Sequence, residues 1–201
     1  VAELAEVDRR ICFIGDSYVA GVGDPAMLGW VGRVAAAAAA NGLPLTSYNL
    51  GIRGETGPRV AERVTVEVPP RLEAADDPRL IVSFGANDTV EVDGRRRATI
   101  AASVAALEQV QSVAGVPVFV VGPPAVEDVA QNRRLEELDT ALRMTAGRLG
   151  VPYVALYAIT SASSLWHREI ADNDGYHPGA AGYELLADIT APHILRWLRS
   201  N

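Results

Sequence analysis

Lysine is absent from this chain and cysteine occurs once, at Cys12. A lone cysteine excludes an internal disulfide, a CxxC redox pair and a cysteine-rich zinc site. Its place in an apolar run makes it a buried small hydrophobe. All 18 basic residues are arginine, which beside the abundant alanine reads as genomic composition bias without functional weight. They are outnumbered by 25 acidic residues, leaving a net charge of -7, and they are scattered rather than striped. The phosphate-neutralising surface of a nucleic-acid binder is therefore missing, and nucleic acid is not an expected partner. No apolar run approaches the length of a membrane span. The charged stretch from Val1 to Arg10 lacks the apolar core of a signal peptide, so a cytoplasmic location is the default expectation, although a leader cleaved upstream of Val1 would leave no trace.

What is present suits one globular domain over residues 1–201, with nearly half of the residues hydrophobic. Short apolar runs at Arg10–Ile14, Leu45–Leu50, Leu80–Phe84, Val116–Val121 and Pro152–Leu156 read as five strands. Between them lie helical stretches at Trp30–Asn41, Arg59–Val68, Arg96–Val113 and Arg133–Leu149, and a last one at about Ala180–Leu198, where Pro192 is expected to kink or restart the helix. Strands without polar alternation, each followed by a helix, predict a three-layer α/β/α fold around a five-stranded parallel sheet covered on both faces. Ligands of such sheets bind beyond the carboxyl ends of the strands, where strand order reverses.

Three unusual segments fall at strand ends: Gly15-Asp16-Ser17, Asn49 to Thr56, and Gly85-Ala86-Asn87-Asp88. A fourth, Asp174-Gly175-Tyr176-His177-Pro178, precedes the last helix. Acyl transfer by a serine needs a base, an acid that orients the base, and donors for the developing oxyanion. Ser17, His177 and Asp174 supply the first three groups; the Ser17 N–H, the Gly54 N–H and the Asn87 side-chain amide supply the donors. Each segment alone has a plainer reading, as a strand-to-helix turn, a capping pair or a surface loop. Four in order, with complementary chemistry, favour the catalytic one.

The ordered blocks Gly-Asp-Ser, Asn-x-Gly-x-x-Gly-x-Thr, Gly-x-Asn-Asp and Asp-x-x-His-Pro resemble those of the GDSL, or SGNH, hydrolases, from Phe13 to Pro178. The resemblance implies a flavodoxin-like topology, with Ser17 as nucleophile, Gly54 and Asn87 in the oxyanion hole, His177 as base and Asp174 as acid. It implies esterase, thioesterase, arylesterase, lipase-like or carbohydrate deacetylase activity on a small-molecule ester; short acyl groups, acetyl above all, are the expectation here, and no cofactor is expected. Tyr18 stands where leucine is usual, and Arg53-Gly54-Glu55 replaces the commoner Ser-Gly-Asp; Tyr18 and Arg53 would flank the nucleophile and shape the substrate pocket. Trp166 is read evenly as pocket wall or ordinary packing. Asp16 and Asp88 are both assigned to their turns, with a hydrogen bond from Asp88 that steadies the Asn87 loop as the alternative.

His167 and His193 compete with His177; His167 could line a pocket but lacks a carboxylate at a useful preceding position, and His193, after Pro192 in the last helix, is read as structural. Glu127, Asp128, Asp172 and Asp174 lack the spacing of a metal site, so no metal is expected. The competing functions are acyl transfer at the same site, a nucleotide- or flavin-binding module, and a non-catalytic ester or glycan binder. No P-loop or GxGxxG pattern opens the first helix, which weighs against the second. Oligomeric state has no sequence signal.

Overall fold

A computed structural model of the chain describes residues 7–200; the charged N-terminal stretch, as far as residue 6, and residue 201 lie outside the described residues. In chain order the elements are β1 (Arg9–Gly15), α1 (Ser17–Ala20), α2 (Gly29–Ala40), β2 (Thr46–Gly51), α3 (Gly57–Glu67), α4 (Pro69–Leu72), β3 (Asp77–Ser83), β4 (Glu91–Val92), β5 (Arg95–Arg96) and α5 (Ile100–Val113). They continue with β6 (Val118–Val121), α6 (Val129–Leu149), β7 (Tyr153–Val154), α7 (Leu156–Ser161), α8 (Ser164–Ala171) and α9 (Ala180–Arg199). Five strands form an all-parallel sheet in the order β2-β1-β3-β6-β7, the flavodoxin-like arrangement. β4 and β5 make a separate antiparallel hairpin.

The period-two geometry of the strands divides the core. Ile11 and Phe13 of β1, with Ile81, Phe119 and Val121, face a layer that includes Trp30, Val34, Trp166, Tyr183 and Leu186. Cys12 and Ile14, with Leu80, Val82, Val118 and Val120, face the opposite layer of α3, α5 and α6. Burial on both faces explains why these strands read as unbroken apolar runs.

Several boundaries differ from the sequence expectation. Residues 96–99 are not helical: Arg95 and Arg96 pair in the hairpin, and Thr99 caps α5 by accepting from the Ala102 N–H at 3.1 Å. α6 begins four residues before Arg133, because Asp128 caps it. β3 begins three residues before Leu80; its polar Asp77 and Arg79 are paired at 2.6 Å, and Arg79 lies over the Trp197 ring. Pro192 neither restarts nor ends α9, which runs through it.

Candidate active site

The site starts at the end of β1. Gly15 lies opposite Ser83 of β3, and a Cβ there would stand 2.1 Å from the Ser83 carbonyl oxygen, so only glycine lets the chain leave the sheet at this point. Asp16 then caps α1, its Oδ1 accepting from the Tyr18 N–H at 3.0 Å. Ser17 is the first residue of α1, where no preceding helical carbonyl can take its N–H.

His177 arrives from the loop before α9, 160 residues later. Its Nε2 is 2.7 Å from the Ser17 Oγ, and its Nδ1 is 2.7 Å from Asp174 Oδ2. The other Asp174 oxygen accepts from the backbone N–H groups of His177 at 2.7 Å and Tyr176 at 3.0 Å. Burial works against the Asp174 charge, but these hydrogen bonds outweigh it and hold the carboxyl below its ordinary range. A carboxylate fixed on Nδ1 sets the ring so that Nε2 meets the hydroxyl.

Tyr18 backs this arrangement. Its ring centroid is 5.3 Å from that of His177, and its buried hydroxyl donates to the Tyr176 carbonyl at 2.8 Å, tying the serine turn to the residue before the histidine. Burial pushes the Tyr18 phenol up, so it acts as a neutral donor.

Asn87 follows β3, beside β1 at the point where strand order reverses. Its Nδ2 donates to Asp16 Oδ2 at 3.2 Å, and its Oδ1 accepts from Arg97 at 3.4 Å. A carboxylate on one side and a guanidinium on the other fix which end of the amide is which, leaving the second Nδ2 hydrogen for a ligand. Arg97 also donates to the Gly54 carbonyl at 2.7 Å. Gly54 has φ +76°, a left-handed turn that glycine enters without strain. Neither the Ser17 nor the Gly54 N–H donates to any group among the described residues. Asp88 steadies this edge: its carboxylate accepts from the Gly57 N–H and the Ser103 hydroxyl.

A cavity of about 400 Å³ opens over Ser17 and His177, lined also by Tyr18, Arg53, Gly54 and Asn87. Ala86, Val90, Arg97 and Tyr176 complete its wall, and the last three are given no role by the sequence motifs. Arg97 falls in the stretch that the sequence reads as helix, and the Asp-x-x-His spacing gives no role to Tyr176. Trp166 is not brought to the cavity. Its fully buried indole donates to the Ala125 carbonyl at 2.8 Å and stands behind Tyr18, so packing accounts for it. His167 bonds instead to the Ser161 carbonyl, and His193 is exposed on α9. Among the described residues no three His, Cys, Asp or Glu side chains cluster as metal ligands, and no helix is long and apolar enough to cross a membrane.

A model of the GDSL-like lipase/acylhydrolase family matches residues 13–185. Among solved structures, a lipase/acylhydrolase from Enterococcus faecalis is 27% identical over 96% of this chain and 98% of that one, with a TM-score of 0.77. A catalytic mutant of the acetylxylan esterase Axe2 from Geobacillus stearothermophilus is 18% identical over 99% and 98%, with a TM-score of 0.76. LAE5, an alpha/beta hydrolase enzyme from the metagenome of Lake Arreo, is 20% identical over 96% and 98%, also with a TM-score of 0.76. No curated protein sequence matches the chain.

Proposed function

This chain belongs to the GDSL-like lipase/acylhydrolase family of serine ester hydrolases, and from that premise we propose that it cleaves esters of short acyl groups, acetyl above all, through an acyl-enzyme on Ser17. The observation that carries the reading is the unbroken line from the Asp174 carboxylate through His177 to the Ser17 hydroxyl, 2.7 Å at each step.

In this mechanism the Ser17 oxygen attacks the ester carbonyl as His177 Nε2 takes its proton, and Asp174 stabilises the imidazolium. The carbonyl oxygen gains the negative charge, and the N–H groups of Ser17 and Gly54 and the free Asn87 amide hydrogen receive it. When the intermediate collapses, the alcohol leaves with the proton from His177. Water then attacks the acyl-serine with His177 again as base, releasing the carboxylic acid and restoring the hydroxyl. The small cavity, near the lower end of the ligand-pocket range, supports a short acyl group. The acetylxylan esterase among the structural neighbours agrees with that choice.

Hydrolysis of 4-nitrophenyl acetate and butyrate, with fluorophosphonate labelling and peptide mapping, tests the proposal. Ser17→Ala and His177→Ala are each expected to lower kcat by about 10³-fold or more, and Asn87→Ala by about 10²-fold. Unchanged acetate hydrolysis in Ser17→Ala would end it.

A further inference from the structure

The cavity over Ser17 carries charge of one sign. Arg53 and Arg97 both line it, and no aspartate or glutamate does. The carboxylates adjoining the site are turned to other groups. Asp16 accepts from Tyr18 and Asn87, Glu55 is paired with Arg63 at 2.7 Å, Asp88 holds Gly57 and Ser103, and Asp174 holds His177. Neighbours of Arg97 on the hairpin are also committed elsewhere, Arg96 to Glu137 and Glu91 to Arg134.

Arg97 itself hydrogen-bonds only to neutral acceptors, the Gly54 carbonyl and the Asn87 amide oxygen, and the buried Asp88 carboxylate acts on it through charge alone, without a direct contact. Arg53 is exposed on the same rim, and neither arginine takes part in an ion pair among the described residues. A guanidinium has five donors, which leaves both side chains with N–H groups to offer. Two guanidinium groups outside any ion pair on one small concavity, in a chain of net charge -7, offer an anion charged donors beside the reacting centre.

We propose that Arg53 and Arg97 form an anion-binding subsite that favours esters whose alcohol part carries a negatively charged group such as a carboxylate. The inference rests on the esterase reading above. It assigns the charge to the alcohol part because a short acyl group has no room for it, while the open side of the cavity does.

The test compares 4-acetoxybenzoate with its neutral methyl ester, methyl 4-acetoxybenzoate, each rate taken relative to uncatalysed hydrolysis. Arg53 is the reporter, since Arg97 also holds the Gly54 and Asn87 groups. Wild-type enzyme is expected to favour the anion in kcat/KM, and the preference should shrink as NaCl is raised. Arg53→Gln should cut the preference by about five- to tenfold, mainly through KM, and Arg53→Lys should keep most of it. An equal preference in wild type and Arg53→Gln, or one insensitive to salt, overturns the subsite and leaves the esterase reading intact. Absence of Ser17-dependent hydrolysis of either ester overturns both.

Discussion

Asp16 is the residue whose role extends furthest beyond its turn. It is almost wholly buried and caps α1 with one oxygen while orienting Asn87 with the other. Burial, reinforced by the charges of Asp88 and Glu55, pushes its carboxyl up to about 7. A folded pKa above the unfolded one means that the protonated folded form is favoured. Its contribution is fully present below the unfolded pKa and is lost as pH rises from about 4 to about 7, by up to about 4 kcal/mol. Asp16→Asn has no charge to bury, so its stability should stay flat over that range and exceed that of wild type at pH 8 in urea titrations. The same change sets one amide NH2 against another at Asn87, turning the Asn87 side chain away. An expected loss of about 10- to 100-fold in kcat should therefore accompany the gain in stability. A variant both less stable and fully active would contradict the assignment. At this scale the serine, histidine, asparagine, glycine and aspartate of the motif blocks could be read from order and chemical type alone. The second duty of Asp16, and the presence of Arg97, could not, because each depends on an atom delivered by a segment about ten to seventy residues away.

At the scale of elements, α2 shows how a loop residue starts a helix. Buried Asp24 accepts from the N–H groups of Ala26, Leu28 and Gly29 and pairs with Arg33 one turn into α2. Burial opposes its charge, but Arg33 and the N–H groups prevail and bring its carboxyl down to about 2. Here the folded pKa is depressed, so the contribution is present above about 4 and disappears as pH falls toward 2. Asp24→Asn is expected to lose about 2 kcal/mol at pH 7, and the gap to wild type should close toward pH 2 in thermal or urea unfolding. A gap independent of pH would place the effect in packing instead. The long helices and the three central strands were legible because a dozen residues at helical spacing, or an unbroken apolar run, outweigh local exceptions. The short helices α1, α7 and α8, of four, six and eight residues, and the two-residue strands of the hairpin were not, since segments this short have no period to detect and are stabilised by caps and tertiary contacts. Reading residues 96–99 as helix failed for a related reason: arginine suits a helix, but pairing across the hairpin decided the conformation.

For the whole molecule, strand order places the chemistry. The ends of β1 and β3 flank the point where the chain reverses its direction across the sheet, which brings Ser17 and Asn87 side by side. The third element, His177, is carried in by α9. Tyr183 of that helix is fully buried and donates to the Val22 carbonyl at 2.7 Å, just beyond α1, while Leu186 and Ile194 pack into the layer shared with α2. Asp174 and His177 are thus held against Ser17 by the docking of the last helix on α2 together with the hydrogen bond from Tyr18 to the Tyr176 carbonyl. Removing that docking must separate these three groups and expose the core together. Loss of esterase activity and loss of far-UV ellipticity in urea are accordingly expected to follow one transition with one midpoint. Leu186→Ala, which leaves a cavity in this layer, should shift both curves together by about 2–5 kcal/mol. If activity disappeared at distinctly lower urea than ellipticity, the loop of Asp174 and His177 would be opening on its own. The hydrogen bond from Tyr18 to Tyr176 would then be the contact to strengthen, since among the described residues it is the one that joins the serine turn to the backbone of that loop, beside Asp174 and His177.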